Sequence, residues 1–324
     1  MSKIPGPRAS RPHPPPCPPP QAREGREGGG GTPAVPATAP SIDAARRGIA
    51  RRFRDRGIDT PDLDARILVG HALGLDHTAL MLAGERRLQP AEIAQIERFA
   101  TRRLSREPIA RITGTKEFWG LPFRVAPDVL VPRPETETLV EQALAAVDRT
   151  GARSRPLRIA DLGVGSGAIL IALLVELPNA SAIGTDRNPA ALALARENAR
   201  RSGVASRATF AACDFGSAIA PGCDLVVTNP PYIRSGDIAE LEPDVRAFDP
   251  RGALDGGLDG LAAYRVIATH ARDIVATGAH LIAEIGEGQG DAVAALFAAA
   301  GFGRIRIVPD LARIPRAVAA IRNP

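Results

Sequence analysis

Residues 157–175 read LRIADLGVGSGAILIALLV. A short apolar run, Leu157 to Leu162, stops at three glycines in five residues (Gly163, Gly165, Gly167), and an apolar stretch follows at once. Glycine reaches backbone conformations closed to other residues, so a strand can turn sharply into a helix there and a ligand can approach the main chain. The same alternation continues downstream. Strands are expected at LRIADL (157–162), SAIGTD (181–186), RATFAA (207–212), DLVVTN (224–229), AHLIAEI (279–285), GRIRIV (303–308) and RAVAAI (316–321). Helices are expected near 168–177, 189–201, 260–276 and 289–300. This alternation predicts an α/β fold with a mostly parallel, doubly wound sheet, its ligand beyond the carboxyl ends of the strands.

Upstream the pattern changes twice. Ser41 is a good helix N-cap, Thr60-Pro61 opens a second helix running to about Leu73, and Pro90 opens a third with Ile93, Ile96, Phe99 and Ala100 at helical spacing. Residues 41–108 therefore read as a small helical domain, suited either to packing or to substrate docking. Over 109–131, the segments ARITG and EFWGLPFRV read as extended and form a connecting hairpin. Pro132 and Pro134 then precede a helix from about Glu135 to Val147, and residues 132–324 form the main domain. Residues 1–40, with twelve prolines and six glycines, hold too little apolar surface to offset their ordering entropy, and a disordered tail is expected.

Composition narrows the function classes. The longest uncharged apolar run is Ala168–Val175, against the roughly 18–20 residues of a membrane span, so no membrane association is expected. The start lacks the apolar core of a secretory signal, and Cys17, Cys213 and Cys223 make no disulfide framework; both point to the cytoplasm. Five scattered histidines form no HExxH or similar cluster, which argues against a metal site. Of the net charge of +5, the first 40 residues carry +3 and the remaining chain only +2, a weak footprint for a nucleic-acid binder.

The glycine turn fits a loose dinucleotide pattern through Gly163, Gly165 and Ala168, so a nicotinamide enzyme stays open at this point. Asp186, closing the second strand, can accept ribose hydroxyls in either cofactor class. The fourth strand ends in Asn229-Pro230-Pro231-Tyr232, and this motif separates the classes. An amide or exocyclic nitrogen has a delocalised lone pair and attacks the sulfonium methyl of S-adenosylmethionine poorly. The Asn229 side-chain oxygen and the Pro230 carbonyl can each accept one N–H bond, fixing that nitrogen, while Tyr232 can pack on the planar acceptor. Asn229, Pro230 and Tyr232 are thus the candidate catalytic residues, and Asn229 to Tyr232 the substrate grip. Asp214 and Phe215 suit the adenine, though they read equally well as a strand-end turn with a core phenylalanine. The Val131–Glu137 segment has acids in a helix first turn, which the helix dipole already explains; a role near the acceptor pocket stays open for it, though spacing does not derive one.

The string from Gly114 to Gln142 (GTKEFWGLPFRVAPDVLVPRPETETLVEQ), with DLGVGSGAI, Asn-Pro-Pro-Tyr-Ile and ALDGGLDGLAAYR, resembles the N5-glutamine methyltransferases of peptide-chain release factors over residues 41–324. The resemblance implies a helical N-terminal domain joined by a hairpin to a seven-stranded Rossmann-like, class I methyltransferase domain. It implies S-adenosylmethionine as donor and the Gly-Gly-Gln glutamine of class 1 release factors as acceptor; a monomer is expected beside it, and the charge balance predicts no direct nucleic-acid contact. By position, Gly163, Val164, Gly165, Ser166, Gly167, Asp186, Phe215 and Asn229 become cofactor-binding residues, and Asp214 joins them from the motif reading. A ribosomal-protein glutamine, or an adenine or guanine amine of a nucleic acid, would suit the same motif. A non-catalytic adaptor would not need the motif intact. Relatives can carry Trp where Phe215 stands, and Asp310-Leu311-Ala312 has alanine where glycine is expected, which leaves the last hairpin turn open.

Overall fold

The computed structural model describes residues 38–324, so the tail reading falls outside the described residues apart from positions 38–40. Helices α1 (Ile42–Asp55), α2 (Pro61–Leu73), α3 (His77–Leu82), α4 (Pro90–Leu104) and α5 (Ile109–Thr113) come first. Ser41 caps α1 by accepting the Ala44 N–H at 3.3 Å, and α2 ends on left-handed Gly74. Their apolar faces, including Ile42, Phe53, Leu68 and Ile96, meet in a core of their own. Two elements differ from the sequence reading. ARITG (110–114) is not extended but forms α5, because burial of Ile112 in that core outweighs its β propensity. Helix α3 is too short to show a period and is set by Asp76, which accepts the Ala79 N–H at 2.8 Å.

Strands β1 (Thr115–Phe118) and β2 (Leu121–Arg124) form the hairpin. Its central residues, Trp119 and Gly120, both have positive φ (55° and 70°), the geometry that matches strand twist in a two-residue turn. Asn198 holds β2 through the Arg124 N–H (2.9 Å) and carbonyl (3.2 Å), so the hairpin is fixed to the main domain.

The main domain begins with α6 (Glu137–Arg149). It then runs β3 (Arg158–Leu162), α7 (Ala168–Glu176), β4 (Ser181–Asp186), α8 (Pro189–Arg201), β5 (Ala208–Ala212) and β6 (Cys223–Thr228). After α9 (Pro243–Arg246) come α10 (Ala262–Ile274), β7 (Val275–Glu284), α11 (Gly290–Ala299), β8 (Phe302–Pro309) and β9 (Pro315–Arg322). All seven expected strands form one sheet, ordered β5-β4-β3-β6-β7-β9-β8. Neighbours from β5 to β7 are parallel, and β9 is antiparallel to both β7 and β8. One buried cluster includes residues of α6, α7 and α8, and the other residues of α10 and α11. Strand order reverses between β3 and β6, which opens a crevice at their carboxyl ends. The β8–β9 turn needs no glycine at Ala312. Asp310 accepts the Ala312 and Ile314 N–H groups (2.9 and 3.1 Å), and Arg313 is the left-handed residue. Among the described residues, no helix is long and apolar enough to cross a membrane.

Candidate active site

A cavity of about 350 Å³ lies in that crevice. Its floor is the turn after β3. The Gly163 and Val164 N–H groups donate to the Thr185 carbonyl at 2.9 and 2.7 Å, and Gly165 N–H donates to Asp186 Oδ2 at 3.0 Å. Gly163 (φ 79°) turns its open side to the Phe215 ring, 3.7 Å from where a Cβ would stand, so a side chain there would enter the cavity. Gly167 (φ 84°) has another reason: a Cβ would lie 2.9 Å from Ile171 and 3.2 Å from Ala195, so it lets α7 pack on α8.

Beneath the turn, Asp161 is buried with no side-chain partner for its carboxyl, and the Leu170 N–H, which favours the charged form, is the backbone group facing it. Burial pushes its pKa up to about 7, and the negative charge of Asp186 adds to the rise. Asp186 spends one oxygen on Gly165 and the other on the Asn188 N–H (2.8 Å), which leaves further lone pairs for a ligand. Phe215 stands at φ 45°, a costly conformation for an aromatic residue that aims its ring across the turn. Asp214 lies 3.6 Å from Arg187 Nε in an exposed pair.

The opposite end of the cavity is built from distant segments. Asn229 Nδ2 donates to Thr136 Oγ1 at 3.2 Å, and Thr136 donates to Glu284 Oε2 at 2.6 Å. Asn229 Oδ1 and the Pro230 carbonyl receive no hydrogen bond from the described residues. Glu284 is buried, and desolvation raises its pKa to about 7 against the opposing pull of the Thr136 bond and the Arg316 charge. Tyr232 donates to Glu284 Oε1 at 3.4 Å, and burial together with that carboxylate lifts the phenol to about 12. Gln289 Nε2 holds the Tyr232 carbonyl at 2.9 Å.

Two side walls come from residues 128–133 and 250–253. The helical region pins both. Arg111 donates to the Ala126 and Val129 carbonyls (2.7 and 3.2 Å) and to Asp249 Oδ1 (2.9 Å), whose other oxygen takes Arg133. Arg103, itself buried, joins Asp64 at 2.7 Å to Asp244 of α9 at 2.6 Å.

Of the residues singled out in the sequence, the cavity brings together Gly163, Val164, Gly165, Ser166, Asp186, Asp214, Phe215, Asn229 and Pro231. Gly167, Pro230 and Tyr232 are outside its lining. The expected stacking face of Tyr232 is not presented to the cavity: its ring lies against Gly286, and its hydroxyl turns to Glu284. Asp161 and Glu284 were missed. The signal for the two acids was there, a charge inside an apolar strand (LRIADL, AHLIAEI). Thr136 belongs to the Val131–Glu137 segment, whose open place near the acceptor pocket the structure gives to its hydroxyl.

Two family models match the chain: the PrmC N-terminal domain over residues 44–114 and the methyltransferase small domain over residues 140–242. The chain is 49% identical over 296 residues to a release factor glutamine methyltransferase of Bradyrhizobium diazoefficiens, covering 90% of this chain and 99% of that protein. It is 44% identical over 274 residues to the protein of that name from Rhodospirillum rubrum (85% and 83% covered). With the one from Caulobacter vibrioides the identity is 43% over 274 residues (84% and 93% covered).

Proposed function

The chain belongs to the release factor glutamine methyltransferase family, and from that premise we propose how it methylates the Gly-Gly-Gln glutamine of class 1 peptide-chain release factors on its side-chain nitrogen. S-adenosylmethionine supplies the methyl group as an electrophilic carbon on a sulfonium. The residues fit that donor. Ionised above about pH 7, the Asp161 carboxyl beneath the turn gives the floor a negative bias that suits a cationic ligand. Gly163, Val164, Gly165 and Ser166 leave the main chain approachable, Asp186 keeps lone pairs for ribose hydroxyls, and Asp214 and Phe215 offer an acceptor and a flat apolar wall to adenine. Gly167 supports them by seating α7.

The acceptor residues have the harder task. A carboxamide nitrogen shares its lone pair with the carbonyl, so it must be held in one pose to react. The Asn229 oxygen in the cavity and the Pro230 carbonyl accept its two N–H groups, and their fixed orientation can contribute up to about 7–11 kcal/mol. The Pro230 carbonyl is outside the lining but between the lining residues Asn229 and Pro231, and free of hydrogen bonds from the described residues. Pro231 bounds the pocket beside them, and Tyr232 braces the motif from behind through Glu284 and Gln289. The observation that carries this reading is the Asn229 amide, its nitrogen tied back to Thr136 and its oxygen left free, in the same cavity as the glycine turn.

On this reading residues 41–108 dock the release factor, residues 109–131 connect, and residues 132–324 hold the chemistry. The enzyme works as a cytoplasmic monomer, and the near-balanced 36 basic and 34 acidic residues beyond position 40 support the absence of a nucleic-acid partner. The test is incubation with methyl-labelled S-adenosylmethionine and a release factor, intact or with the Gly-Gly-Gln glutamine changed to alanine. Label should enter only the intact protein; equal label in both rejects the acceptor assignment.

A further inference from the structure

The open question at the acceptor end is why Asn229 should present oxygen rather than nitrogen. A carboxamide turned by half a revolution occupies the same space but offers two donors. A glutamine nitrogen, itself a double donor, could not bond to it. Asn229 has one partner among the described residues that reads this difference, the Thr136 hydroxyl. A hydroxyl carries a single proton, and Thr136 lies 2.6 Å from Glu284 Oε2, an acceptor-only group when ionised. With Glu284 ionised the proton goes to it, and the remaining lone pair of Thr136 faces Asn229, where only the amide nitrogen can meet it.

We propose that Thr136 and Glu284 are positioning residues: together they set the polarity of the hydrogen-bond chain and so hold the Asn229 oxygen toward the glutamine. This rests on the functional reading above and adds two residues to it. Neither reaches the acceptor through its own polar atoms, since the Thr136 hydroxyl is spent on Glu284 and Asn229 and Glu284 lies outside the cavity lining. The carboxylate is fixed from several sides. Tyr232 donates to Oε1, Tyr264 holds the Glu284 backbone carbonyl at 2.8 Å, Arg316 lends a positive charge and Glu135 an opposing negative one. The residues come from three separate parts of the chain, 93 positions apart for Asn229 and Thr136 and 148 for Thr136 and Glu284.

A double-mutant cycle tests this with release-factor methylation as the assay and S-adenosylmethionine binding measured separately. Thr136→Val keeps the shape and removes the hydroxyl. Its kcat should fall about tenfold, the effect of one lost directional hydrogen bond, with donor affinity within about twofold. Thr136→Ser should recover most of that loss, which a packing defect would not allow. In an Asn229→Ala background, Thr136→Val should change kcat less than about twofold, because the relay has nothing left to orient. An equal tenfold loss in that background overturns the proposal, as does a serine variant no better than valine or a matching loss of donor affinity. If the wild-type enzyme transfers no methyl to glutamine at all, the functional reading fails first and this inference goes with it.

Discussion

The two ends of the cavity are built in opposite ways. The donor end is local: five consecutive residues, Gly163 to Gly167, form the turn, and Asp186 closes it from the neighbouring strand. Its shape follows from backbone conformation, with positive φ at Gly163, Gly165 and Gly167. The acceptor end depends on side chains from the hairpin-to-helix connection, the end of β6 and the end of β7, brought into one hydrogen-bond chain by the sheet. A contiguous loop can bind a common donor in many proteins. An assembled set of oxygens and a hydroxyl can discriminate one nitrogen in one pose.

Damage to either end should therefore have different signatures. Asn229→Ala should give the largest functional effect, a fall in turnover of about 10²–10³-fold with donor affinity little changed, as found on deleting one preorganised polar group. Loss of donor binding in equal measure would erase the distinction between the ends. Gly167→Ala should act on the donor end through its scaffold. The left-handed φ and a Cβ 2.9 Å from Ile171 should cost about 2–3 kcal/mol in chemical unfolding and weaken donor binding along with stability.

Asp161→Asn should separate stability from binding. The folded carboxyl keeps its proton up to about pH 7, whereas an unfolded aspartate loses it near pH 4. The unfolded chain thus releases a proton the native state retains, and wild-type stability falls as pH rises through that window. Asparagine has nothing to ionise. Relative to wild type, the variant should gain about 4 kcal/mol between pH 4 and pH 8, while its unpaired amide lowers stability equally at both pH values. Its affinity for the cationic donor should drop. Urea unfolding at the two pH values, with donor titration at pH 8, checks both. Removing residues 1–37, within the stretch whose composition predicts a tail without a function, should change turnover by less than about twofold.

These differences also explain what could be read from sequence. The seven strands, the helices between them and the glycine turn are encoded by short-range patterns, and each was found within a residue or a few of its place. Asn229 was legible because two prolines after an apolar strand need a reason. Its orientation was not, since the cause lies in Thr136 and Glu284, far apart in the chain and ordinary in their local contexts. The same holds for Arg111 and Asp249, 138 positions apart, whose ion pair fixes one wall of the cavity. Helix α5 misled for a related reason: its β-branched residues favour a strand until the core of α1, α2 and α4 buries them.

The clamp on the glutamine nitrogen can be seen directly in a crystal structure of the enzyme with S-adenosylhomocysteine and a Gly-Gly-Gln peptide. Asn229 Oδ1 and the Pro230 carbonyl should each lie about 3 Å from that nitrogen, with Asn229 Nδ2 still on Thr136. A glutamine bound with its nitrogen away from both oxygens, or an Asn229 amide turned the other way, would contradict the account.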